Sequence, residues 1–110
     1  MGGQAQAQIH TQLFLRLLEG RSALEATSLP RWVVGRQDLP DTVDSVILES
    51  DIDRAAAESL AASPLTPRIV HPRWELMGHS NIVRVTDDGL DAASDPRSDG
   101  SARVVTVAAS

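Results

Sequence analysis

Ile9, Leu13 and Leu17 recur at i, i+4 and i+8, and Phe14 and Leu18 widen the same stripe. That spacing predicts an amphipathic helix from about Gln4 to Glu19. A helix with one apolar side must lay that side on another element, so the chain is committed to a packed, layered fold. Gly20 follows where a helix C′ residue is needed. Ser22 and Glu25 have capping-box spacing and open a second, shorter helix. Leu29-Pro30 closes it, because proline disfavours the helical region for the residue before it.

Trp32 to Val34 reads as a short extended piece stopped by Gly35, and a polar loop runs from Arg36 to Asp44. Ser45 to Glu49 is the best buried-strand candidate, being short, β-branched and bounded by polar turns. Ser50 or Asp51 is expected to cap a third helix from Ile52 to about Ala62, ended by Ser63-Pro64. Ile69-Val70 is a short apolar run between Pro67 and Pro72. Asn81 to Thr86 reads as a strand, Asp87-Asp88-Gly89 as a turn and Leu90 to Ser94 as the returning strand. Asp95 to Arg103 is polar and turn-rich, and Val104 to Val107 is β-prone. Two helices, a strand, a helix and a hairpin make an α/β or α+β chain of three to four strands. Its 110 residues suffice for one domain and not for two.

Composition removes several chemistries. Cysteine is absent, which excludes disulfide scaffolds, thiolate metal sites and Cys nucleophiles. All ten basic residues are Arg, so there is no Schiff-base or P-loop lysine. Fifteen acidic side chains leave a formal charge of −5, which argues against a nucleic-acid or anionic-membrane surface. No apolar run approaches the roughly 18–20 residues of a membrane span. Leu13 to Leu18 is broken by Arg16 and lacks the flanks of a signal peptide.

The three histidines, His10, His71 and His79, have no metal-binding spacing, so surface or hydrogen-bonded roles are expected. His79-Ser80 is a poor base–nucleophile pair, since neighbours on a strand point to opposite faces. The acidic clusters Asp51/Asp53 and Asp87/Asp88/Asp91 could bind a hard cation, but Asp87-Asp88-Gly89 lacks the alternation of a calcium loop, and turn chemistry explains it better. No metal or cofactor is expected. Trp32 and Trp74 read as core or interface residues. Gly2-Gly3 is different: successive glycines just before a helix can aim backbone N–H groups into one concavity, aided by the helix dipole. That arrangement suits an oxyanion hole, while the bland alternative is a flexible terminus.

Three segments together carry a resemblance. Met1-Gly2-Gly3-Gln4-Ala5-Gln6-Ala7-Gln8-Ile9-His10-Thr11-Gln12 resembles the Gly-Gly-x-x-Gln-x-Gln-x-His-x-Gln stretch of the γ-glutamyltransferase family. Ala26 to Trp32, with Pro30-Arg31-Trp32, looks like its Ala-Pro-Arg-aromatic segment. Ser94-Asp95-Pro96-Arg97-Ser98-Asp99-Gly100-Ser101-Ala102 looks like its Ser-Asp-Pro-Arg-x-Asp-Gly-x-Ala ending. Val46-Ile47-Leu48-Glu49 between them is similar to a strand ending in Glu. The order is the family's, and nearly the whole chain is covered.

The resemblance implies residues 1–110 of an N-terminal-nucleophile (Ntn) hydrolase, as the C-terminal part of the small subunit in a stacked αββα fold. Such a precursor cleaves itself into two subunits. The new N-terminal Thr attacks a γ-glutamyl amide such as that of glutathione, its free α-amine serving as base. Water, an amino acid or a peptide then takes the acyl group. Gly2 and Gly3 match the two glycines that donate the oxyanion-hole N–H groups. The segments carrying the nucleophile and the groups that hold the substrate α-amino and α-carboxylate have no match here, and neither does the large subunit. All six threonines here are internal. Met1 is then expected to be an internal methionine of a longer enzyme, and the chain alone is expected to be inactive. Arg31 and Arg97 are expected to make structural salt bridges or helix-end contacts. Two alternatives stay open: a related acylase acting on a glutaryl-type amide, and a non-enzymatic interaction fragment.

Overall fold

The computed structural model describes residues 5–35 and 44–107. They form α1 (Gln6–Leu18), α2 (Ala23–Ser28), β1 (Trp32–Val34), β2 (Ser45–Glu49) and α3 (Arg54–Ala61). β3 (Thr66–Val70), a 3₁₀ turn (Glu75–Met77), β4 (Asn81–Thr86) and β5 (Gly89–Ser94) follow. Among the described residues the architecture is α+β, three helices with two small sheets.

The helix ends follow from sequence chemistry. Gly20 adopts φ +92° after α1. Its N–H donates to the Leu17 carbonyl and the Arg21 N–H to the Arg16 carbonyl, both at 3.1 Å, which is a Schellman closure. Ser22 and Glu25 form the expected capping box on α2. A second acceptor reaches that helix start from far along the chain: Asp91 of β5 takes the Ala23 N–H at 2.8 Å. Leu29 is extended before Pro30, as the proline requires. α3 starts later than expected. Its cap is Asp53, whose carboxylate accepts the Ala56 N–H at 3.2 Å, rather than Ser50 or Asp51.

β2 is the middle strand of the larger sheet, with β1 antiparallel on one side and β3 parallel on the other. A parallel neighbour needs a crossover, and α3 supplies it. All five β2 residues are buried. Ile47 pairs with Val33 across the strands, and both join Ala5, Ile9, Leu13, Ala26 and Met77 in the core. Burying an Ile or Met side chain of this kind contributes roughly 1.5–3 kcal/mol. Phe14 and Leu18 do not take part; they are 62% and 68% exposed, so the apolar stripe of α1 is wider than the surface under it.

The outer edge of β1 is covered by side chains. Arg31 and Gly35 bond toward β2, through the Glu49 N–H at 3.1 Å and the Ser45 carbonyl at 2.9 Å. Trp32 and Val34 therefore face away, and α1 meets them with two glutamines. Gln8 accepts the Val34 N–H at 2.8 Å and donates to its carbonyl at 2.9 Å. Gln12 accepts the Trp32 N–H at 3.2 Å and donates to its carbonyl at 2.6 Å.

β3 extends beyond the short apolar run Ile69-Val70 read from the sequence and takes in Pro67, a residue that argues against an interior strand. The register resolves the conflict. The Thr66 N–H bonds inward to the Asp44 carbonyl at 3.0 Å, so the next residue, Pro67, turns its donorless nitrogen to the open edge. Val104 to Val107 forms no strand and is exposed. The hairpin is as expected, with Thr86 paired to Gly89 across Asp87-Asp88. Apart from Asp44, the loop expected over Arg36 to Asp44 lies outside the described residues, as do Gly2 and Gly3.

Candidate functional site

A buried lattice of four charges joins the two proline–arginine segments. Pro30 sets the extended entry into β1 that carries Arg31 inward. At the other end of the chain Asp95-Pro96-Arg97 forms a tight turn, in which the Asp95 carboxylate accepts the Arg97 N–H at 3.0 Å. Glu49 ends β2 on the same face as Ile47, since residues two apart on a strand share a face. Arg31, Glu49, Asp95 and Arg97 are all buried.

Every carboxylate oxygen is engaged. Glu49 Oε1 accepts the Arg31 backbone N–H at 2.8 Å and pairs with the Arg97 guanidinium. Its Oε2 accepts Arg97 Nε and the Trp74 N–H, both at 2.8 Å. Asp95 Oδ2 accepts the Ser80 N–H at 2.9 Å and pairs with Arg31 at 2.6 Å. Its Oδ1 pairs with Arg97 at 3.1 Å. Bidentate arginine–carboxylate geometry of this kind holds planes as well as charges in place.

The guanidiniums also close the C-terminus of α2, where orphan carbonyls carry partial negative charge. Thr27 O accepts from Arg31 at 3.0 Å and from Arg97 at 2.7 Å. Leu29 O accepts from Arg97 at 3.2 Å and from Arg16 of α1 at 3.1 Å. Arg16 donates to Ala26 O at 3.0 Å and also to Pro30 O. Arg31 reaches on to the Met77 and Gly78 carbonyls at 3.0 and 3.2 Å. Only its Nε lacks a hydrogen-bond partner among the described residues.

The electrostatics follow. Burial, together with the charges of Arg31 and Arg97, lowers Arg16 to about 10. Burial and the Arg97 charge also lower Arg31. Burial opposes the Arg97 charge as well, yet the bonds and charge of Glu49 outweigh it and the group is raised. Burial alone would push the Asp95 carboxyl up. The Arg97 and Ser80 N–H bonds and the Arg31 charge hold it below its usual value instead. Such a lattice has no free acid, base or nucleophile. It joins α2, the end of β2, the 3₁₀ turn and the Asp95–Arg97 turn into one rigid piece.

Arg31 and Arg97 thus make both contacts expected of them, ion pairs and helix-end bonds. Glu49 and Asp95 were visible as motif residues, but their pairing with two distant arginines was not. A lone acid closing an otherwise apolar buried strand was the available signal. Gln8 and Gln12 were also missed; two glutamines one helical turn apart facing a three-residue strand would have pointed to them. His10, His71 and His79 are exposed, and the described residues hold no cluster of three or more metal-ligating side chains. Ser80 is buried while His79 is exposed, and both precede β4 rather than lying on a strand. Trp74 packs against the core. No helix among the described residues is long and apolar enough to cross a membrane.

The family model for gamma-glutamyltranspeptidase matches residues 1–105. The chain is 36% identical over 104 residues to the oxamate amidohydrolase proenzyme of Klebsiella pneumoniae, covering 93% of this chain and 20% of that protein. Its fold is similar to gamma-glutamyltranspeptidase from Pseudomonas nitroreducens complexed with L-DON. The TM-score is 0.65 and the identity 24%, over 90% of this chain and 49% of the other. The W525D mutant of the same enzyme gives a TM-score of 0.64 at 23% identity, over 91% and 50%. The chain therefore spans a fifth of the proenzyme and about half of each solved chain. With the α+β layers, the three motif segments and a match over almost its full length, the chain belongs to the γ-glutamyltranspeptidase family, and its fold is part of the Ntn-hydrolase fold.

Proposed function

We propose that this chain supplies the oxyanion-stabilising part of an Ntn amidase or acyltransferase, with Gly2 and Gly3 as the donors. The observation that supports the reading is the family match over residues 1–105, which takes in both glycines. In the reaction a threonine Oγ, outside this chain, bonds to the amide carbonyl carbon and passes its proton to the threonine α-amine. The carbonyl oxygen becomes an oxyanion facing the Gly2 and Gly3 N–H groups. Collapse breaks the C–N bond, the departing amine takes the proton, and water or an acceptor amine releases the acyl group.

The acyl group we favour is γ-glutamyl, as in glutathione. A second reading, hydrolysis of a small amide, is favoured by the amidohydrolase name of the 36% identical relative. A chimera separates them: the amidohydrolase proenzyme with its matching 104 residues replaced by this chain. Release of chromophore from a γ-glutamyl anilide supports the first reading, and release of ammonia from oxamate alone supports the second. A chimera that matures and folds but turns over neither rejects both.

A further inference from the structure

We propose that Asp99-Gly100 is a self-modification site, where the Gly100 nitrogen closes on the Asp99 side chain and the peptide link migrates to it. The chain holds two Asp-Gly pairs, Asp88-Gly89 and Asp99-Gly100. In such a pair the glycine nitrogen and the aspartate Cγ close a five-membered ring. A glycine, having no Cβ, leaves that approach open. Both reacting groups sit on one chain, so no bimolecular encounter is needed.

The fold treats the two pairs differently. Gly89 is held in the hairpin: it pairs with Thr86 across the turn, its carbonyl accepts the Thr86 hydroxyl at 3.0 Å and its φ is +125°. Turning its nitrogen onto Asp88 disrupts the closing pair of that hairpin. Asp99 and Gly100 are exposed and lie in irregular backbone beyond β5. The bonds that fix the preceding turn end at Ser98, whose N–H and hydroxyl both donate to the Asp95 carbonyl at 3.1 Å. The Gly100 N–H meets no acceptor among the described residues. The chain is therefore anchored up to Ser98 and free to turn just after it. Gly100 itself lies against the end of β5, where an added Cβ would stand 2.4 Å from Ser94 Oγ.

The Gly100 nitrogen bonds to Asp99 Cγ and gives up its proton. That proton leaves with the carboxyl hydroxyl as water, so the cyclic imide is one water lighter than the chain. A second water then opens the ring. Attack at the former main-chain carbonyl leaves the backbone running through Cγ, with one extra methylene and a carboxylate on Cα. Attack at the other carbonyl restores aspartate. The added length falls between Arg97, held by Glu49 and Asp95, and Gly100 on Ser94. It displaces the chain from Gly100 onward and leaves the arginine–carboxylate lattice in place.

The test ages the folded 110-residue chain in mildly acidic heavy-oxygen water at body temperature. Cleavage after arginine then puts Asp88 and Asp99 on separate peptides, 85–97 and 98–103. Mass spectrometry reads the oxygen taken up, and an isoaspartyl methyltransferase with labelled S-adenosylmethionine counts the rearranged link. The 98–103 peptide is expected to gain both labels, and the 85–97 peptide several-fold less. In urea the two are expected to approach one rate, because the hairpin no longer holds Gly89. Asp99→Glu keeps the charge but demands a six-membered ring, so it is expected to lose the label with an unchanged circular dichroism spectrum. Asp99→Asn is expected to react faster through the same ring, with release of ammonia. Equal labelling of both peptides in the folded chain overturns the proposal, as does labelling of neither. Methyl label that persists at residues 98–103 in Asp99→Glu, or rearranged product without heavy oxygen, overturns it as well.

Discussion

At the scale of single residues, the arginine–carboxylate lattice decides how the chain responds to substitution and pH. Replacing Arg97 by Met removes the partner that touches Glu49, Asp95 and the end of α2 at once. Breaking a buried pair in this way costs about 3–5 kcal/mol, because the remaining charge is left uncompensated. Urea unfolding of the Arg97→Met chain is expected to show that loss, and a change under 1 kcal/mol would contradict the lattice's structural weight. Arg97→Lys is expected to recover little, since an ammonium cannot reproduce the planar fork. Asp95 sets the acid limit. Its folded pKa lies below the ordinary value of 3.8, so its contribution is present above that value and is lost as pH falls through the folded pKa. Stability followed by circular dichroism from pH 6 to pH 2 is expected to fall with decreasing pH. In Asp95→Asn the part of that fall due to this carboxyl is expected to vanish.

At the scale of elements, local sequence was most readable where a terminus is closed by its own neighbours. Gly20, the Ser22–Glu25 box, Pro30 and the Asp87-Asp88-Gly89 turn each act within a few residues, and each element ends where they place it. Ser22→Ala is expected to cost about 1 kcal/mol, the usual weight of an N-cap. Gly20→Ala meets no atom within 4 Å, so its cost is the backbone strain of a positive φ, roughly 1–2 kcal/mol. Thermal unfolding of both variants checks these values. What stayed unread depends on partners remote in sequence. β3 hides behind Pro67 until its place at an edge is known. The α3 cap moved because three acceptors, Ser50, Asp51 and Asp53, stand close together and only the fold selects Asp53. The pairing of Glu49 with residue 97 spans 48 positions, beyond the reach of any periodicity. The proposed oxyanion role of Gly2 and Gly3 rests on family spacing alone, since nothing in their composition separates an oxyanion site from a loose end.

At the scale of the whole molecule, the described fold leaves much apolar surface in water. Phe14, Leu18 and Leu24 on the helices and Val83, Val85 and Leu90 on the hairpin are all more than half exposed. β3 also presents an open edge, and uncovered edges invite pairing. The purified chain is therefore expected to self-associate with rising concentration in size-exclusion light scattering; a strict monomer up to high concentration would contradict this. Incubated alone with a γ-glutamyl anilide, it is expected to give no turnover, because on the proposed reading the threonine nucleophile that makes the covalent step comes from outside this chain. The central claim is that this family segment contributes its glycines to chemistry begun elsewhere. Its most direct test is kcat of the chimeric proenzyme with and without Gly3→Pro, after both have matured and folded. The account predicts a loss of about 10²–10³-fold in kcat with KM nearly unchanged, the weight of one oxyanion donor. Equal kcat in the two proteins would contradict it.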